Sequence, residues 1–279
     1  MTPLLFAIIV FTSSLAAGVV GALLGLGGGI IIVPVLTLAL GVDIRFAIGA
    51  SIVSVIATSS GAAAAYVKEG MTNLRVAMFL ETATAAGALT GAFLAGHVPT
   101  RMLFVIFGII LGYSAFVMIK KARSHHLTAL PPDRLADRLR LHSEYYDDSQ
   151  GAAIAYRVTH TRLGWALMYV AGIVSGLLGI GSGVLKVPTI DIAMRLPIKV
   201  SSATSNFMIG VTAAASAILY FARGDIHPFV AAPVALGVLL GSVAGSRLLG
   251  RLEQGAIRFV FVVILMCVAG QMLWKGITG

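Results

Sequence analysis

Two stretches of the chain are copies of each other, and each interrupts a hydrophobic segment at the same place with glycines. GALLGLGGGIIIVPVL begins at Gly21 and SGLLGIGSGVLKVPTI begins at Ser175. Gly25, Gly27, Gly29 and Pro34 match Gly179, Gly181, Gly183 and Pro188 at one offset (179 − 25 = 154). The same offset carries Ser51 to Ser205, Tyr66 to Tyr220, Gly70 to Gly224, Gly87 to Gly241, Gly91 to Gly245 and Lys121 to Lys275. The chain therefore reads as a first repeat over 1–121, a connector over 122–162 and a second repeat over 163–279. Paired, glycine- and proline-interrupted hydrophobic segments in corresponding halves are the sequence mark of a transporter's binding site.

Composition sets the solvent. The chain is 58% hydrophobic and 11% charged, with a mean hydropathy of +0.97. A soluble domain carries roughly a quarter charged residues. Apolar runs approach the ~20 residues that one membrane helix needs, again and again along the chain. They are continuous, which favours helices over barrel strands of period two. The net charge of +9 does not indicate nucleic acid, because the basic residues fall mainly in loops between apolar runs, where membrane orientation explains them. Cys267 is the single cysteine, and no Cys/His cluster has metal-ligand spacing. His125–His126 reads as a solvated pair in the connector. No catalytic residue, metal site or cofactor is expected: the apolar segments hold no Ser–His, Asp–Asp or HExxH arrangement, and no Walker A motif is present. The expected partners are the lipid bilayer and a small anionic substrate.

The expected fold is an all-α polytopic membrane protein, two repeats of about five helical segments each. The segments are 3–24, 29–44, 46–67, 73–96 and 101–121, then 164–178, 183–196, 198–222, 227–249 and 256–275. The connector reads as a solvated linker with a short helix after Pro132. The first two segments of each half allow a single broken crossing, a V, or two crossings. Charge separates the first from the others. A V or two crossings put Lys68, Arg75, Arg195, Lys199, Arg247, Arg251 and Arg258 on the side of the basic connector, leaving Arg45, Arg101, Arg223 and Lys275 opposite. That agrees with the positive-inside rule. The connector is then cytoplasmic, both termini are outside, and the halves are inverted repeats with glycine-broken helices at the midplane.

Non-helical chain at membrane depth survives only where it is buried in protein or lines a wet cavity. Glycine permits positive φ and close approach by a ligand. A helix starting near Gly29 or Gly183 directs its positive dipole end into the break, where an anion is stabilised. Lys186 replaces Ile32 under the repeat, and a lysine within an apolar segment marks function or a partner. It adds a charge to the same anion site, snorkels toward the membrane surface, or pairs with Asp191 or Glu81. The following helices carry hydroxyls on one face: Ser51, Ser54 and Thr58, then Ser201, Ser205, Thr212 and Ser216. These line a polar path or bond neighbouring helices, and Ser51, Thr204, Ser205 and Asn206 are the candidates for the path. Glu81, whose repeat partner is Ala235, is the proton-coupling candidate. Gly87/Gly91 and Gly241/Gly245 read as helix packing.

GLGGG with a following VP, then GIGSG with VP and SSATSN, resembles the sulfite exporter family called TauE/SafE. The resemblance covers the chain apart from the connector. It implies a bacterial inner-membrane, multi-pass permease that exports sulfite, sulfoacetate or related anions. By motif position it implies a binding region of Gly27, Gly28, Gly29, Gly181, Ser182 and Gly183 with the neighbourhoods of Ser51 and Ser205. The chain departs from the pattern in GAS before Ile52, in Ser182, in Lys186 and in its long charged connector. The leading expectation is thus a secondary exporter of a small anion working by alternating access. The alternatives are a permease for another small solute and an intramembrane enzyme.

Overall fold

The computed structural model describes residues 2–24, 27–120, 132–147, 151–181, 183–248 and 254–278. The first half contains α1 (Pro3–Leu24), α2 (Gly29–Pro34), α3 (Ile44–Lys68), α4 (Leu74–Ala95) and α5 (Thr100–Lys120). The second contains α7 (Thr161–Leu178), α8 (Gly183–Pro188), α9 (Ile198–Ala222), α10 (Pro228–Leu248) and α11 (Gln254–Thr278). Between them lie α6 (Arg134–Arg138) and an antiparallel hairpin of β1 (Ser143–Asp147) and β2 (Ala152–Tyr156). Among the described residues, seven helices (α1, α3, α4, α5, α7, α9 and α10) are long and apolar enough to cross a membrane. The protein is an all-α polytopic membrane protein, with the small hairpin its one departure among the described residues. Large apolar side chains such as Phe93, Phe116, Ile218 and Phe221 are exposed, as lipid-facing residues are.

The short second helices owe their form to proline. Pro34 and Pro188 end α2 and α8, and each is followed by a wider π-type turn, Val35–Ala39 and Thr189–Ala193. Proline supplies no N–H and its ring crowds the carbonyl four residues back, so the helix widens there. Matching hydrogen bonds close both turns: Leu40 N donates to Val35 O and Met194 N to Thr189 O. Gly41 and Arg195, which correspond under the repeat, both take positive φ just beyond.

The chain runs out and back through each glycine break. Phe6, near the start of α1, stacks on Phe229, and Phe46, near the start of α3, meets His227 edge-on. The starts of α1 and α3 therefore lie at the same end of the bundle, which excludes a single broken crossing. In the second half, Thr159, just ahead of α7, donates its N–H to Met194 O at the end of the π turn, so that half also returns to its own starting end. The return arm Gly29–Ala39 spans roughly 16 Å at 1.5 Å per residue, about half of a 30 Å hydrocarbon core.

Packing exchanges the halves. α1 lies along α10 and α7 along α4, while α3 meets α9 and α10, and α5 meets α11. Glycines make these crossings close. A Cβ at Gly87 or Gly91 would overlap the carbonyls of Tyr169 or Ile173, and one at Gly241 or Gly245 would overlap those of Leu15 or Val19. Small residues let membrane helices approach to backbone contact, where van der Waals packing has to hold them.

The connector is more than a solvated linker. The expected helix after Pro132 is present as α6. Ala136, Leu141, Tyr145 and Val158 then join one buried cluster with Val76, Leu80, Met194, Val200 and Met208. Asp133 caps α6 and accepts from Leu135 N, Ala136 N, Thr161 N and Thr161 Oγ1. Partial burial acts to raise the Asp133 carboxyl, but these bonds outweigh it and hold the group below the usual carboxylate range. Asn73, the cap of α4, donates through Nδ2 to Leu141 O and Tyr156 Oη, both at 2.9 Å. Arg75 reaches Arg140 O. At the opposite end, Arg223 donates to Ala92 O and Lys275 to Thr37 O.

Candidate functional site

The two glycine breaks meet. Gly27 and Gly181 correspond under the repeat and both have φ of 72°. That conformation strains any side chain, which explains glycine at both positions. Both also face one pair of side chains. A Cβ on Gly27 would touch Val55 and Ile209, and a Cβ on Gly181 would crowd the same two residues. Val55 of α3 and Ile209 of α9 are themselves repeat mates (209 − 55 = 154). Gly29 is packed against Ser51 Oγ and the Gly179 carbonyl. The breaks thus lie back to back on the α3–α9 seam.

Polar groups around this junction fall into two kinds. Ser51 Oγ donates to Gly179 O at 2.7 Å, capping the carbonyl at the end of α7 from the other half of the molecule. A freed carbonyl inside a membrane needs such a donor. Ser59 Oγ likewise donates to Asn206 O and accepts from Gly210 N. Ser205 Oγ and Asn206 Nδ2, by contrast, are buried and lack a partner among the described residues. Buried polar atoms are almost always satisfied, so such a pair calls for an explanation, a ligand among them.

The charged residues make a second cluster at Thr212, about 10 Å along α9 from Ser205, seven residues at 1.5 Å each. Lys186 is fully buried, at 0% exposure, and Glu81 is 7% exposed. Lys186 Nζ donates to Thr212 Oγ1. Thr212 Oγ1 lies 2.7 Å from Glu81 Oε1 and 2.9 Å from Met208 O. Glu81 Oε2 has no partner among the described residues. The two opposite charges are therefore joined through one hydroxyl, which links α8, α9 and α4. The residues related to these by the repeat are Ile32, Thr58 and Ala235, and Thr58 bonds only its own helix, at Ser54 O, among the bonds described.

The expected residues accordingly separate. Gly27, Gly28, Gly29, Ser51, Gly181, Gly183, Ser205 and Asn206 are buried around or beside the breaks, and Ser182 lies outside the described residues. Lys186 is engaged by Thr212 and Glu81 in place of the break. Thr204 accepts from Asn73 N at 3.1 Å, on the side where the connector docks. Thr212, Asn73, Val55 and Ile209 were not among the expected site residues. The exchange of Ile32 for Lys186 was the signal for the cluster, and the repeat keeps a threonine at both Thr58 and Thr212.

The comparisons with known proteins address the whole chain. The family model described as Sulfite exporter TauE/SafE matches residues 10–272. The chain belongs to the TauE/SafE family. Similar proteins include the "Probable membrane transporter protein YunE" of Bacillus subtilis, 26% identical over 97% of this chain and 98% of the relative. A "Probable membrane transporter protein" of Xylella fastidiosa is 26% identical over 93% of each chain. One from Methanocaldococcus jannaschii is 26% identical over 85% of this chain and 82% of its own. No solved structure matches. The protein is a multi-pass membrane transporter, as family and fold together show.

Proposed function

We propose that this TauE/SafE protein is a secondary transporter that exports a small anion, sulfite or an organosulfonate, across the bacterial inner membrane. Transport runs by alternating access around the junction of the two breaks. The observation that carries this reading is the fully buried Lys186 in the short arm of a glycine-broken hairpin, with unpartnered donors on Ser205 and Asn206 about two turns back along α9. A buried cation with spare donors suits an oxyanion and disfavours a cation. The family's description supports sulfite and export. Glu81, with one oxygen unpartnered, is the proton carrier in this scheme.

The halves act as inverted repeats. The swapped packing of α1 on α10 and α7 on α4, and the out-and-back path of each half, support that arrangement. The connector end is cytoplasmic and both termini are outside, because Lys68, Arg75, Arg195 and Lys199 gather at the connector end. Uptake of sulfite, sulfoacetate and a cation panel into proteoliposomes tests the proposal. Transport of an oxyanion that competes with the others is expected. Transport of cations alone refutes it.

A further inference from the structure

The buried charge pair joins Glu81 of the first half to Lys186 of the second, while the positions related to them by the repeat, Ala235 and Ile32, are apolar, and a hydroxyl with two possible acceptors stands inside the pair. A threonine hydroxyl has one proton to donate and two lone pairs to accept with. Thr212 Oγ1 accepts from Lys186, so its single proton goes either to Glu81 Oε1 at 2.7 Å or to Met208 O at 2.9 Å. It cannot serve both at once.

We propose that Thr212 is the positioning residue that couples anion occupancy of Lys186 to the protonation of Glu81. This rests on the transporter reading above and names the coupling at that same site. In the empty site, Thr212 donates to the Glu81 carboxylate and holds the Lys186 ammonium, so the cluster is neutral. When an anion draws Lys186 away, the carboxylate loses its only compensating charge. It then takes up one proton from the bulk solvent, relayed through water that enters with the substrate so that no hydroxide is left behind, and Thr212 turns its own proton to Met208 O. With a singly charged anion the cluster is again neutral, now holding lysine, anion and a protonated acid, and with a doubly charged one the proton halves the excess charge. Burial makes either unbalanced state expensive, so proton and anion move together.

The surroundings favour a closed exchange between these two groups. Lys186 is the charged group acting on Glu81, and Glu81 the one acting on Lys186. α9 faces the pair with Thr212 and Met208, neither of which titrates. α7, packed on the same stretch of α4, brings Gly172 against the Thr84 backbone, and its tyrosine, Tyr169, pairs with Thr90 further along. The positions related by the repeat, Ile32, Thr58 and Ala235, carry no charge, and Thr58 serves as an internal control.

The test uses full-length protein in liposomes, with sulfite counterflow to report binding and translocation. Sulfoacetate uptake with a trapped pH dye counts protons, since a sulfonate does not titrate near neutral pH. Wild type and Thr212→Ser are expected to carry about one proton for each sulfoacetate moved, because the single Glu81 carboxyl holds one proton per cycle. Thr212→Val is expected to carry fewer protons for each sulfoacetate that it still transports, the ratio falling toward zero, and Thr58→Val is expected to match wild type. Infrared difference spectra of wild type on adding sulfoacetate are expected to show a protonated carboxyl that is lost in Glu81→Gln. Unchanged proton coupling in Thr212→Val overturns the proposal. So does the absence of the carboxyl signal in wild type, which needs no variant to fold. Failure of both sulfite counterflow and sulfoacetate uptake in wild type instead overturns the transporter reading itself, and this inference with it.

Discussion

Removing the Lys186 ammonium should leave a membrane-buried acid without its counter-charge. Lys186→Met keeps the length and most of the volume of the side chain, so packing changes little. What is lost is the charge and the bond to Thr212. Glu81, 7% exposed, then keeps one hydrogen-bond partner for two oxygens. Breaking a buried pair on one side costs about 3–5 kcal/mol, whereas replacing both partners with neutral groups is close to neutral. Lys186→Met and Glu81→Gln should each destabilise by that amount. The double variant should return to within about 1 kcal/mol of wild type. For a chain of this size, 3 kcal/mol is roughly 6–12 °C in unfolding midpoint, readily followed by tryptophan fluorescence in detergent. Independent sites add within about 0.5 kcal/mol. Additive losses in the double variant would falsify the pair, as would two single variants as stable as wild type.

Membrane sidedness can be read by labelling in a Cys267→Ser background, because the native thiol is exposed. Ser143→Cys and a cysteine beside Lys199 should label from the cytoplasm, and one beside Arg101 from outside; labelling of Ser143→Cys and the Arg101 loop from one side refutes the topology. Gly181→Val should abolish transport and lower stability, since it combines positive φ with a clash against Val55 and Ile209; wild-type flux would contradict this. Gly87→Ala should cost about 1–3 kcal/mol by pushing α7 off α4, measured as a lower unfolding midpoint. The connector should undock in acid. Asp133 is depressed in the folded state, so its contribution is present above the ordinary carboxyl value, about 3.9, and is lost as pH falls through the lower folded value. Asp133→Asn should remove that acid step in the protease sensitivity of the hairpin, and an unchanged acid profile would contradict the assignment.

The sequence placed most segment boundaries within two residues or so, because glycines, prolines and charges punctuate the apolar runs. It also anticipated the out-and-back path from loop charges alone, and Phe6, Phe46, Phe229 and His227 now supply the contacts behind that parity. It failed on the connector, where a hairpin of mixed polar residues gives no strong alternation, and its buried residues depend on partners in α4 and α9. At the site, the repeat located the breaks, while spacing along one helix could not say which neighbour each hydroxyl meets. Ser51 looked like a ligand and is occupied by the Gly179 carbonyl. Thr204 looked like its companion and belongs to the connector contact. Lys186 looked like a break residue and faces Thr212, because a long side chain reaches beyond its own turn.

The central claim, that Lys186 and the polar groups at the paired breaks carry a small anion, is tested most directly by sulfite counterflow. The Lys186→Met, Glu81→Gln double variant is the protein to use, since it should be as stable as wild type. Wild type is expected to exchange sulfite across the liposome membrane, and the folded double variant to show no exchange above empty liposomes. Wild-type exchange rates in that variant would contradict the account.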